Sequence, residues 1–108
     1  MATTYKVLGQ VSPSATTATT LYTVPNAKSA VCSTLVICNR GISTTYRVAI
    51  RPSGATLDNI HYLVYEAAIN QYDTTLLTIG ITLATTDVVT VYAGTASVTF
   101  QLFGSEIS

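Results

Sequence analysis

Apolar side chains in this chain recur at every second residue, run after run, and no window of about twelve residues carries them at helical spacing instead. Thr44 to Arg51 is the plainest case. Tyr46, Val48 and Ile50 share one face and Arg47, Ala49 and Arg51 the other, the alternation of a half-buried strand. Tyr5–Val11, Leu21–Val24, Ala30–Asn39, Ile60–Glu66, Thr75–Leu83, Val88–Tyr92 and Val98–Phe103 also read as strands. In Ile60–Glu66, Tyr62 and Val64 fall opposite His61, Leu63 and Tyr65. β-Branched Thr, Val and Ile, with seven tyrosines, supply the strand propensity.

Turn residues punctuate the runs at Pro25-Asn26, Asn39-Arg40-Gly41, Pro52-Ser53-Gly54, Asn70 to Asp73 and Ala93 to Ala96. Ala55 to Asn59 reads as a loop or a single helical turn, and Gly80, inside a run, marks a bulge or bend. About eight antiparallel strands at this spacing predict an all-β chain, a single β-sandwich of jelly-roll or Ig-like type. No fixed repeat period emerges, which disfavours a solenoid. At 108 residues the sandwich takes the whole chain, 1–108, as one domain, burying roughly 60–70% of the surface of the unfolded chain. Residues 12–20, rich in Thr, Ser and Ala, have little to bury and read as an extended loop or arm.

Ala30–Asn39 is the best candidate for a central strand. Strict alternation sets Val31, Leu35 and Ile37 on one face and Cys32, Val36 and Cys38 on the other. A strand apolar on both sides is either sandwiched or covered by a neighbouring subunit. The same strand separates the two cysteines by about 20 Å at ~3.3 Å per residue, beyond the ~7 Å reach of a disulfide. Both are therefore expected as free, mostly buried thiols, which suits a reducing cytoplasm.

Charge is scarce. Asp, Glu, Lys and Arg make up 9% of the residues, five basic against five acidic, where ordinary soluble domains carry about 25%. No basic stripe is present for nucleic acid and no polybasic cluster for anionic lipid. Neither partner is expected. The opening residues lack a basic segment followed by a long apolar one, so no signal peptide is expected, and no apolar run is long enough for a membrane helix. A surface this poor in charge is weakly protected against association, and association with other subunits is the reading adopted.

The inventory for catalysis is thin. One histidine, His61, lies in a strand-like run. No nucleophile elbow, phosphate-cradling loop or zinc-protease motif occurs, and Asp58 and Asp87 have the look of turn and strand-start residues. Cys32, Cys38 and His61 lack the number and spacing of a closed zinc site. No catalytic residue, cofactor or metal is expected. Arg47 and Arg51 lie on one face of one strand, about 13 Å apart. They are either solvated or paired across strands, with Glu66 as a partner, or they meet an acidic patch on a neighbouring subunit. Tyr is enriched at protein interfaces. Arg47, Arg51, Tyr65 and Phe103 are the candidates for subunit contact.

The segments YKVLGQ (5–10), TTLYTVP (19–25), NRG (39–41), RVAIRPSGATL (47–57), HYLVYE (61–66), ITLATTDVVTVYAG (81–94) and FGSEIS (103–108) together resemble a family of small virion structural proteins of tailed bacteriophages, notably phages of cyanobacteria. The resemblance spans nearly the whole chain and includes no catalytic signature. It implies a β-sandwich that self-associates, as a trimer in the leading version, and binds major capsid subunits as a cement or decoration protein. The alternatives are a tail, baseplate or fibre module contacting other virion proteins, or a sandwich that binds carbohydrate or a host receptor. The implied location is the virion, assembled in the host bacterial cytoplasm. The family supplies no site residues to transfer.

Overall fold

The structure, a computed structural model, describes residues 2–108. Among them eight strands form: β1 (Thr3–Val11), β2 (Thr19–Thr23), β3 (Ser29–Asn39), β4 (Thr44–Arg51), β5 (Tyr62–Ile69), β6 (Thr74–Leu83), β7 (Val88–Ala93) and β8 (Val98–Ile107). Short 3-10 turns at Pro52–Gly54 and Asn59–His61 lie between β4 and β5. The first sheet has the order β1-β8-β3-β6 and the second β2-β7-β4-β5.

Partners in this arrangement follow one rule. β1 pairs with β8, β2 with β7, β3 with β6 and β4 with β5, all antiparallel. The chain is one long antiparallel ribbon, its first half lying against its second, rolled so that successive pairs fall in opposite sheets. That is the order of a jelly roll, and it decides between the two sandwich types the sequence allows.

The core fills the space between the sheets with Leu35, Ile37, Phe100 and Leu102 from the first and Val48, Val89, Val91 and Tyr46 from the second. The Tyr46 ring meets Phe100 edge-on at 6.2 Å between centroids. β4 alternates as expected, with Tyr46 and Val48 inward. β3 does not. Relative to β8 it carries one extra residue between Cys32 and Thr34, and this bulge at Ser33 exchanges the faces. Ala30 and Cys32 point into the core on one side of it, Leu35 and Ile37 on the other, and Val31 is moved to the outer face with Val36. The two cysteines, expected on one face, consequently lie on opposite faces. Both are free, Cys32 fully buried and Cys38 partly so.

Bulges recur along every sheet edge. β1 carries Leu8 as an extra residue against β8, and β2 carries Leu21 against β7. Ile79 and Gly80 of β6 face the single Ser33 of β3. Gly80 has φ +54°, a left-handed conformation that glycine takes at no steric cost. β5 is extended twice, by Leu63 and by the pair Tyr65–Glu66 opposite Arg47. It also starts later and runs further than the alternation suggests, because Asn59–His61 closes as a 3-10 turn. There the Asp58 carboxylate accepts from the Asn59 N–H and His61 Nδ1 accepts from the Asp58 N–H. His61 thus belongs to a turn and not to a strand. Residues 12–18 form the expected loop, exposed except at Pro13 and tied to the body where Arg40 donates to the Ser12 hydroxyl and the Thr16 N–H donates to the Ala93 carbonyl at 2.8 Å. Thr19 and Thr20 already belong to β2.

Polar clusters close the two ends of the sandwich. At one end the buried Asn39 amide donates to the carbonyls of Ile42 and Asn70, and its oxygen accepts from the Gly41 N–H and the Ser97 hydroxyl. At the other, Glu106 is only 5% exposed. Its carboxylate accepts from the Tyr22 hydroxyl at 2.6 Å and pairs with Lys6 at 3.2 Å and Lys28 at 3.7 Å. Beside it, a Cβ on Gly104 would overlap the Val31 carbonyl oxygen, so β3 and β8 can approach this closely only with glycine there.

Two outcomes follow from these placements. Burial raises the Cys32 thiol to about 11, so an alkylating reagent applied to the native protein should label Cys38 and spare Cys32, with both labelled after denaturation without reductant. The Tyr22 hydroxyl and the two lysines hold the Glu106 carboxyl below its ordinary 4.5. Its contribution to stability is complete above that value and is lost as pH falls through the depressed folded value. Urea midpoints should therefore drop on acidification, and Glu106→Gln should flatten that part of the drop. Tyr22→Phe, which leaves the buried carboxylate without its hydroxyl donor, should cost about 1–3 kcal/mol at neutral pH.

Candidate interaction surfaces

The outer faces of the two sheets differ. On the first, Tyr5 and Val7 of β1, Phe103 of β8 and Val31 and Ser33 of β3 line an open groove of about 650 Å3. The groove follows the bulges, since Val7, Phe103 and Ser33 all flank the level at which the register shifts. Bulges bend the strands that carry them, and here three strands of one sheet bend at the same height. Tyr5 stands 84% exposed on its lip. Phe103, a candidate from the sequence, belongs to this groove.

On the second sheet the bulge at Tyr65–Glu66 builds a cluster around Arg47. Two consecutive residues of β5 oppose one residue of β4, so both reach the same guanidinium. Glu66 Oε1 accepts from Arg47 Nη2 at 2.7 Å, while Glu66 Oε2 accepts from the Thr45 hydroxyl at 2.7 Å. The guanidinium lies between two rings, 4.5 Å from the Tyr65 centroid and 4.1 Å from that of Tyr92, the residue opposite it on β7. Tyr62 meets Tyr65 edge-on at 4.9 Å, although strict alternation sets the two on opposite faces; the extra residues of β5 bring them together. The hydrogen bonds from Arg47 and Thr45 hold the Glu66 carboxyl below its ordinary value, and Glu66 in turn raises the Arg47 guanidinium.

Arg47 and Tyr65 are thus neighbours, and Arg47 has the cross-strand partner Glu66. Arg51, on the same face, works inside the chain: it donates to the Thr90 hydroxyl and to the carbonyls of Gly54 and Ala55, holding the 3-10 turn after β4. Tyr92 and Tyr62 were not among the sequence candidates. For Tyr92 the signal was available, since it ends a strand that must pair within a sheet. For Tyr62 it was hidden by the bulges.

Among the described residues no group of three or more His, Cys, Asp and Glu side chains is placed to hold a metal ion. No family model matches the chain, and no curated protein or solved structure matches it either.

Replacing Arg47 by Lys keeps the charge and discards the planar fork that stacks between rings. The denaturation midpoint should fall only slightly, since the ionic partner Glu66 is retained and the pair is partly exposed. The aromatic proton shifts of Tyr65 and Tyr92 should move toward free-tyrosine values in the NMR spectrum, and unchanged shifts would show that the stacking does not persist in solution.

Proposed function

We propose that this protein is a non-enzymatic structural subunit of a tailed-phage virion, a capsid cement or decoration protein that self-associates through the outer face of its first sheet and binds major capsid subunits. The observation that carries the association is the groove of Tyr5, Val7, Val31 and Phe103, a largely apolar surface left open among the described residues. The phage assignment itself draws on the resemblance of the sequence to small virion proteins. Jelly rolls serve in viral capsids and in lectins alike, so the fold agrees with the reading without selecting it.

Two further features favour a second copy as the occupant of the groove. Every edge strand carries a bulge, which opposes strand-to-strand addition at the sheet edges and leaves the faces as the route of contact. Each charged side chain also has a partner inside the chain. The lysines meet Glu106, Arg47 meets Glu66, Arg40 and Arg51 meet hydroxyls and carbonyls, and Asp58, Asp73 and Asp87 accept from backbone N–H groups. The few charges left without an ionic partner are sparse, and the five acidic and five basic residues balance, so copies meet little net repulsion. A standard interface takes about 800 Å2 from each partner, a modest share of the 5531 Å2 this chain exposes. Closure into a ring, a trimer on the family resemblance, would cover the groove on each copy.

Size-exclusion chromatography with light scattering on the recombinant chain tests the association. A closed oligomer is expected at about 50 µM, and the double variant Tyr5→Ser, Phe103→Ser should run as a folded monomer with an unchanged circular dichroism spectrum. A wild-type monomer at that concentration would overturn self-association. Protein counting in purified particles addresses the location: shell-like copy number supports the capsid, and a few copies per particle would move the protein to the tail.

A further inference from the structure

We propose that the outer face of the second sheet is a binding site for a neutral glycan, which occupies two adjoining hollows that meet at Tyr62. The first hollow, about 200 Å3, is lined by Ala49 and Leu57 together with Arg47, Tyr62 and Tyr92. The second, about 310 Å3, is lined by Asn59, Tyr62 and Tyr65. Small-molecule sites commonly occupy 300–1,000 Å3 and combine apolar walls with a few convergent polar groups. The pair of hollows has that size and that mixture.

The aromatic geometry suits a sugar ring. Tyr65 is 59% exposed, yet its ring is held in place, with the Arg47 guanidinium over it at 4.5 Å and Tyr62 against it edge-on. A tyrosine so held offers flat contact area at little cost in conformational entropy, and the C–H face of a pyranose is an apolar surface of matching shape. The hydroxyls at the edge of such a ring need donors and acceptors, which the Asn59 amide and the tyrosine hydroxyls provide.

Charge selects among ligands. Arg47, the cation that lines the first hollow, is matched by Glu66 at 2.7 Å. The lining therefore presents no unmatched cation to an anion, and a neutral ligand fits it better than a phosphate or a carboxylate. Glu66 sits at φ +52°, one of six described non-glycine residues with positive φ, and lies in the bulge beside Arg47. That bulge is what delivers Tyr65 and Glu66 to the same guanidinium. The proposal does not rest on assembly through the first sheet.

The test is a titration of the 15N-labelled full chain with maltotriose, cellotriose and triacetylchitotriose, each to about 10 mM, a range that detects millimolar affinity. At least one sugar should shift the amides of Arg47, Tyr62, Tyr65 and Tyr92 and leave those of Val31 and Phe103 in place. Tyr65→Ala should weaken that binding about tenfold, the scale of one aromatic contact, and Tyr65→Trp should retain it. Tyr65 is exposed, so both variants should keep the wild-type dispersion of the spectrum. Absence of shifts with all three sugars, shifts confined to the first sheet, or equal binding by Tyr65→Ala would overturn the proposal. So would movement of the same amides with protein concentration alone, which would make this face a subunit contact.

Discussion

Each edge strand of this sandwich is longer, by a residue or two, than the stretch of neighbour it pairs with. An extra residue in an antiparallel pair cannot be absorbed by the ladder, so the strand bends and side chains beyond that point change faces. Much of what distinguishes the molecule depends on this. In the first sheet Leu8, Ser33 and Gly80 shift register at one height, and the outer groove lies along that line. In the second, the residue added at Tyr65–Glu66 turns two consecutive side chains toward Arg47. The same irregularities spoil the sheet edges as templates for another strand.

Charge is handled with similar economy. A chain with five acidic and five basic residues uses them internally, as caps, as turn anchors and in two cross-strand pairings. The buried Glu106 carboxylate ties β8 to β1, β2 and the turn after β2 through Lys6, Tyr22 and Lys28, and Asn39 ties together three loops at the opposite end. Between these two polar clusters the core is apolar, and outside them the surface is poor in charge and rich in threonine. Such a surface exerts little long-range electrostatic force.

The fold class was legible because it depends on period and punctuation, which are local. Tyr46, Val48 and Ile50 alternate with Arg47 and Arg51 over a strand without irregularity, and the reading of β4 holds residue by residue. β3 and β5 show where that reading stops. Nothing in Val31-Cys32-Ser33-Thr34 announces an extra residue, because a bulge is a relation between a strand and its neighbour, and the excess at Ser33 exists only against β8. Gly80 is the exception: its lack of a side chain advertised the bend in advance. Glu106 could also have been placed, since β8 runs without a bulge and alternation from Phe100 and Leu102 sets it on the core face.

The sequence by itself determined that the chain is all-β, that its cysteines stay unpaired, that its charge is sparse and balanced, and where most turns fall. Each of these follows from spacing along the chain or from composition. The jelly-roll order, the opposite facing of Cys32 and Cys38, and the enclosure of Arg47 by Tyr65, Tyr92 and Glu66 were decided by tertiary structure alone. They depend on which strand lies beside which and on how many residues separate two points on each. Residues 47, 65 and 92 become one surface only when the ribbon rolls and its edge strand takes up the excess.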